Sequence, residues 1–291
     1  MILLTGSNGQ VGFELANRLP ALGSVVCAAR SDADIALDLG DLGAIEKVLD
    51  AQRPRIIVNA AAYTAVDAAE DNAELADRVN HRAVAVVGAW AARNNALVVH
   101  YSTDYVFAGT GEAPYREDEP IAPQSVYGRS KADGEIALRA SGAPHLILRT
   151  AWVYAPRGKN FLLTMLRAAA ERERLRVVDD QIGCPTTAAT LAEITTHMLA
   201  APGLRDNLGT YHAVSTGSVS WCGFARAIIQ RAHQRGLLAR ETPVDAIATG
   251  EYPAKARRPA YSVLSTEKLQ RVFGIVPPSW QAGMEATLDR L

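Results

Sequence analysis

The chain has 291 residues, 48% of them hydrophobic and 21% charged, with a formal net charge of -1. That length supports one large or two ordinary domains with a proper core. The balance of 30 basic against 31 acidic residues offers no basic footprint for nucleic acid and no polybasic patch for a membrane.

Short apolar runs alternate with longer periodic segments, which is the βαβ pattern of a parallel sheet covered on both faces. Met1–Thr5 reads as a first strand and Gln10–Leu22 as a helix with Val11, Leu15 and Leu19 on one face. Val25–Ala29 follows as a strand, Leu42–Gln52 as a helix and Arg55–Ala60 as a third strand introduced by Pro54. Ala73–Asn94 is predicted as one long Ala-rich helix, Leu97–Ser102 as a strand, Val126–Ala140 as a helix and His145–Thr150 as a fifth strand. Helices are also expected at Phe161–Arg172, Ala188–Leu199 and Cys222–Arg235. Pro243, Pro253, Pro259, Pro277 and Pro278 argue against continuous doubly wound structure near the end. The expectation is an α/β, Rossmann-like doubly wound domain over 1–152 and a smaller mixed α/β substrate domain over 153–291. Elements around 175–235 have the option of returning to the first sheet.

No apolar run reaches the roughly 18 residues of a membrane span. Cys27, Cys184 and Cys222 are odd in number and far apart, which suits a reducing compartment and argues against disulfides or a zinc knuckle. The start lacks a basic n-region, so it reads as a strand rather than a signal peptide. A soluble cytoplasmic protein is expected.

Gly6, Gly9 and Gly12 form Gly-x-x-Gly-x-x-Gly between the first strand and the first helix. Glycines there permit the tight turn, close approach to a pyrophosphate and helix–strand packing, with the amides of Gln10 and Val11 at the positive helix end. The second strand ends Ala29-Arg30-Ser31, where a guanidinium is a natural fork for a ribose 2′-phosphate. Asp32 and Asp34 lie close enough to swing in, so NADPH is favoured and NADH remains an alternative. Small residues at Ala60, Ala61 and Ala62, followed by Tyr63 and Thr64, leave room for a cofactor across the strand ends.

Tyr127 and Lys131 are four residues apart and share one helix face. A nearby ammonium favours a phenolate, the tuning that proton exchange with a carbonyl oxygen needs. Thr103, at a strand end, is the candidate to hydrogen-bond the same oxygen. The six histidines show no HxxH or HExxH spacing and read as structural; GxSxG and P-loop motifs are absent. Arg257 and Arg258 are candidates to grip a substrate diphosphate.

The glycine spacing resembles the extended short-chain dehydrogenase/reductase superfamily. Within it, the runs Asn59 to Asp67, His100 to Phe107, Val126 to Lys131, Arg149 to Tyr154 and Arg258-Pro259 resemble the dTDP-4-dehydrorhamnose reductase family over nearly the whole chain. The resemblance implies that Asp38 binds the adenine amine and that Leu39 packs on the ring. It implies that Thr64, Val66, Thr103, Asp104 and Trp152 line the sugar pocket, that Tyr127 is the proton donor and that Lys131 holds the nicotinamide ribose. It also implies a dTDP-4-keto-6-deoxy sugar substrate and a homodimer. Some family members use Mg2+; the corresponding segment Thr186–Thr190 carries no carboxylate, so no metal ligand is named. Tyr63 stands where a His is expected. An epimerase or dehydratase on the same scaffold is the alternative, although dehydratases place Asp-Glu after the threonine and here Asp104 precedes Tyr105. A non-catalytic cofactor-binding subunit is a third reading, against which the intact Thr103, Tyr127 and Lys131 count.

Overall fold

The computed structural model describes all 291 residues. Six strands follow the early chain: β1 (Ile2–Thr5), β2 (Val25–Ala29), β3 (Ile35–Ala36), β4 (Ile56–Asn59), β5 (Leu97–Thr103) and β6 (His145–Thr150). A later strand, Gly209–His212, pairs in parallel with β6. The sheet of seven runs Gly209–His212, β6, β5, β4, β1, β2, β3, and all its pairings are parallel. Chain order reverses between β1 and β4, which opens a crevice at the carboxyl ends of these strands.

Both faces of the sheet are covered. Leu3, Ile57, Val98 and Ile147 pack with Ile45, Leu49, Trp90 and Leu138 from helices on one side. Leu4, Val58, Val99 and Leu148 pack with Leu15, Leu191 and Met198 on the other. Each such side chain withdrawn from water contributes about 1.5–3 kcal/mol before entropy is charged. A further core joins Leu162, Phe224, Ile228, Trp280 and Met284 beneath the parallel pair Leu175–Val178 and Val244–Ile247.

Local chemistry fixes where helices begin. Asp41, Ser125, Asn160 and Ser220 each accept a backbone N–H two residues inside their helices, satisfying amides that lack an intrahelical partner. Two expectations need correction. The first helix ends at Arg18 and continues as a 3-10 turn over Leu19–Leu22, because Pro20 cannot supply the next helical N–H. The expected long helix is α-helical over Ala73–Asp77 and Ala83–Asn94 but winds as a π turn over Arg78–Arg82. Its cause is tertiary: the Asn80 side chain pairs with both backbone groups of Tyr63.

Candidate active site

The glycine loop leaves β1 with Gly6 at φ +72°. A side chain there would come within 2.7 Å of the Ala61 amide nitrogen, and one at Gly12 within 2.1 Å of the Gly6 carbonyl oxygen. Only bare backbone lets the loop, the helix and the end of β4 converge. Gly9 begins the helix Gln10–Arg18 with no side-chain cap, so its first amides are open to an anion. Two buried polar atoms nearby, Ser7 Oγ and Arg157 Nη1, have no partner. Arg157 lies over the Phe13 ring at 3.7 Å, and Gln10 Oε1 accepts from Asn160 at 2.8 Å, tying this covering loop to the helix.

At the end of β2, Arg30 is exposed. Asp34 is not free to swing toward a ribose, because its Oδ2 accepts the Cys27 amide at 2.8 Å. Asp38 is exposed and accepts the Gly40 amide. Leu39 points into the core beside Leu37 and Ile45, which leaves little of it to face an adenine. Ala60, Ala61, Ala62 and Tyr63 are half-buried along the rim, and Thr64 is exposed.

The helix Val126–Ala140 brings Tyr127 and Lys131 to β5. Asn80 donates to Ser130 Oγ, which in turn donates to the Tyr127 carbonyl, so the π turn clips both this helix and the Tyr63 loop. Tyr127 is half-buried, edge-on to Tyr105 with ring centroids 5.6 Å apart. Burial pushes its phenol up to about 12, while the neighbouring Thr103 hydroxyl pulls it down and the Asp104 charge pushes it up. Lys131 is 2% exposed; burial brings its ammonium down to about 8, against the upward pull of Glu135. Its Nζ donates to the Tyr101 carbonyl at 2.6 Å and lies 3.2 Å from His100 Nε2.

Thr103 donates to Asp104 Oδ1 at 2.9 Å and accepts from the Tyr105 amide. Asp104 is buried and its Oδ2 has no hydrogen-bond partner. Burial raises its carboxyl to about 6, moderated by the Ser262 and Thr103 hydroxyls. Trp152 has φ +49°, in the left-handed region. It stacks face to face on Trp221, with centroids 3.4 Å apart, packing that holds the strained backbone in place. Val66 opens the short helix Val66–Ala69. Arg258 is held by Asp67 Oδ2 at 2.8 Å, although its Nε is buried without a partner. Its guanidinium therefore is not wholly available to a diphosphate while that pair stands.

Thr187 caps its helix and Thr186 donates to the Cys184 carbonyl, so these hydroxyls serve the backbone, and the Thr190 hydroxyl pairs with that of Thr187. The one three-residue set spaced for a metal ion, Asp77, His81 and Asp133, lies outside these residues, and its Asp77 already pairs with His81 and with Arg82.

Sequence reasoning missed Trp221, Asp67 and the place of His100. A usable signal existed for the last: His100 and Ser102 alternate as polar positions in the otherwise apolar run of β5, which calls for a polar partner on the covering helix.

The family model for the RmlD substrate binding domain matches residues 1–291. The chain is 48% identical over 288 residues to a dTDP-4-dehydrorhamnose reductase of Burkholderia thailandensis, covering 96% of this chain and 95% of the relative. It is 43% identical to that of Escherichia coli K12, covering 100% and 97%. A Bacillus anthracis dTDP-4-dehydrorhamnose reductase in complex with NADP superposes with a TM-score of 0.91 at 34% identity, over 100% of this chain and 99% of that one. A UDP-glucose 4-epimerase of Thermus thermophilus, at 19% identity and a TM-score of 0.83 over 99% and 97%, shares the fold. On the full-length match and these identities, the chain belongs to the dTDP-4-dehydrorhamnose reductase family.

Proposed function

We propose that this chain is an NADPH-dependent reductase of the C4 keto group of dTDP-4-dehydro-L-rhamnose, giving dTDP-L-rhamnose, a precursor of cell-surface polysaccharide, and that it works as a cytoplasmic homodimer. The observation that carries the reading is the meeting of Thr103, Tyr127 and Lys131 at the carboxyl end of β5, beside an open glycine loop.

The cofactor fits the residues present. The bare backbone of Gly6, Gly9 and Gly12, the uncapped helix start and the unpartnered Ser7 and Arg157 groups suit a pyrophosphate, and exposed Arg30 suits a 2′-phosphate. When bound, the reduced nicotinamide supplies the hydride. The protein's share is positioning and proton transfer. Thr103 orients the keto oxygen, and Tyr127, held protonated by burial, donates its proton as charge develops there. Lys131 holds the ribose and tunes the phenol. Asp104, Val66, Thr64 and Trp152 shape the sugar pocket, with Arg258 near enough to meet the diphosphate once Asp67 releases it.

The test is loss of reduced-nicotinamide absorbance with a dTDP-4-keto-6-deoxy sugar. Stoichiometric loss supports the reductase; sugar turnover without loss supports an epimerase; no turnover supports a non-catalytic subunit.

A further inference from the structure

Lys131 sits at the end of a buried polar chain whose donors do not balance. His100 Nε2 is 3.2 Å from Lys131 Nζ, and His100 Nδ1 is 3.2 Å from Asn59 Nδ2. Asn59 cannot turn over to relieve this. Its Oδ1 accepts the Thr5 hydroxyl at 2.7 Å and the Ala61 amide at 3.3 Å, and a backbone N–H can only donate. Thr5, Asn59, His100 and Lys131 are all buried, at 3%, 2%, 1% and 2% exposure, and at 3.2 Å the ring contacts are direct, with no room for a water between the paired atoms.

A neutral imidazole has one N–H and one lone pair. Placed between a carboxamide N–H and an ammonium, it must leave one contact donor to donor. Protonating the ring makes both contacts repulsive, and burial beside Lys131 already holds His100 well below the usual imidazole range. One arrangement satisfies every atom. Nδ1 accepts from Asn59, Nε2 carries the ring proton, and Lys131 is an amine whose lone pair receives it. The amine then has two N–H bonds, one for the Tyr101 carbonyl and one for a ligand.

We propose that Asn59 and His100 are positioning residues that hold Lys131 as a neutral amine in the ligand-free protein, so that charging Lys131 requires the His100 ring proton to move from Nε2 to Nδ1. The inference rests on the role given to Lys131 above. Burial alone brings the ammonium to about 8, and the donor conflict disfavours it further. The charges acting on the cluster are few. His100 and Lys131 act on each other, and Glu135 acts from one turn along the same helix, with its own charge taken up by Arg149 and Arg139. Strand β4 presents the uncharged Asn59; Tyr101, Tyr105, Tyr127 and Asp104 are the other titratable groups of the site. With Lys131 uncharged, the Tyr127 phenol keeps the proton that reduction consumes.

The full-length protein labelled with 15N-histidine and 13C-lysine tests this directly by NMR. The His100 resonances are identified by their loss in His100→Gln, or by proximity to Lys131 in the unaltered protein should that variant not fold. At about pH 7.5, one unit above the ordinary imidazole value, the expected pattern is a bare Nδ1, a protonated Nε2 and an uncharged Lys131. A ring proton on Nδ1, or a charged Lys131, overturns the proposal. Asn59→Asp reverses the logic, because a carboxylate accepts from Nδ1–H and leaves Nε2 to receive the ammonium. That variant should switch the tautomer, which a purely structural Asn59 would not do; the added carboxylate raises the Lys131 titration by its charge on either reading, so the tautomer is the deciding readout. A correct tautomer without keto-sugar reduction would defeat the functional reading alone, and reduction with the wrong tautomer would defeat only this one.

Discussion

Replacing Arg149 with Met should destabilise the protein in a way that depends on pH with a definite sign. Glu135 has no exposed side-chain surface and Arg149 has 2%; they meet through two bonds, Nε to Oε1 at 2.9 Å and Nη2 to Oε2 at 2.8 Å. Arg149 also donates to the Glu117 carbonyl and lies 4.9 Å over the Phe107 ring. Although burial opposes ionisation, the Arg149 guanidinium leads the interactions that hold the Glu135 carboxyl below its ordinary range. In the wild type, Glu135 therefore contributes stability above the carboxyl's unfolded value, and this is lost as pH falls. Methionine roughly keeps the volume but leaves Glu135 with Arg139, which is partly exposed, and the weaker pulls of Ser102 and Lys131. Desolvation then dominates and the folded carboxyl rises above its unfolded value, so ionisation is penalised as pH increases. Removing one partner of a buried pair costs about 3–5 kcal/mol, and that full cost belongs near pH 7, with a smaller one near about pH 4, where the carboxyl is half protonated even when unfolded. Urea midpoints at the two pH values, with m unchanged, measure it. The double variant Arg149→Met/Glu135→Leu should recover most of the loss. An equal loss at both pH values, or none, would refute the reasoning.

Tyr127→Phe should preserve folding and NADPH binding and lower turnover by about 10²–10⁴; keto-sugar reduction at the wild-type rate would remove Tyr127 as the donor. Arg30→Asp should weaken NADPH by about 1.5–3 kcal/mol and leave NADH nearly unchanged, read by titration of both cofactors. Asp104→Asn should stabilise the protein. The buried carboxyl is raised to about 6, so its contribution is present at low pH and lost as pH rises through that value. The variant should gain roughly 2–3 kcal/mol near pH 7.5 and nothing near pH 4, seen as a urea midpoint that rises only at the higher pH.

The parallel sheet was legible because its central strands are short, continuous apolar runs, Ile2–Thr5 and Ile56–Asn59 among them, each followed by a periodic helix. The glycine spacing and the four-residue step from Tyr127 to Lys131 were equally open to reading. What those side chains touch was not. The two-residue strand Ile35–Ala36 is too short to show a period. The π turn follows from a hydrogen bond to Tyr63, seventeen positions away in sequence. The Trp152–Trp221 stack joins residues whose local patterns carry no sign of each other, and His100 is defined by a helix thirty-one positions further on.

The π turn at Arg78–Arg82 also makes chain length itself a specification. One residue more than an α-helix needs is wound into that turn, so a single deletion there would let the helix run regular from Ala73 to Asn94. The shortened helix would be the better helix and the worse scaffold. Every side chain beyond the cut would swing by about 100° around the axis, carrying the carboxamide of Asn80 away from Tyr63 and Ser130 together. Loop-trimming or insertion scans that score only folding would accept the deletion, whereas a screen for reduction would reject it.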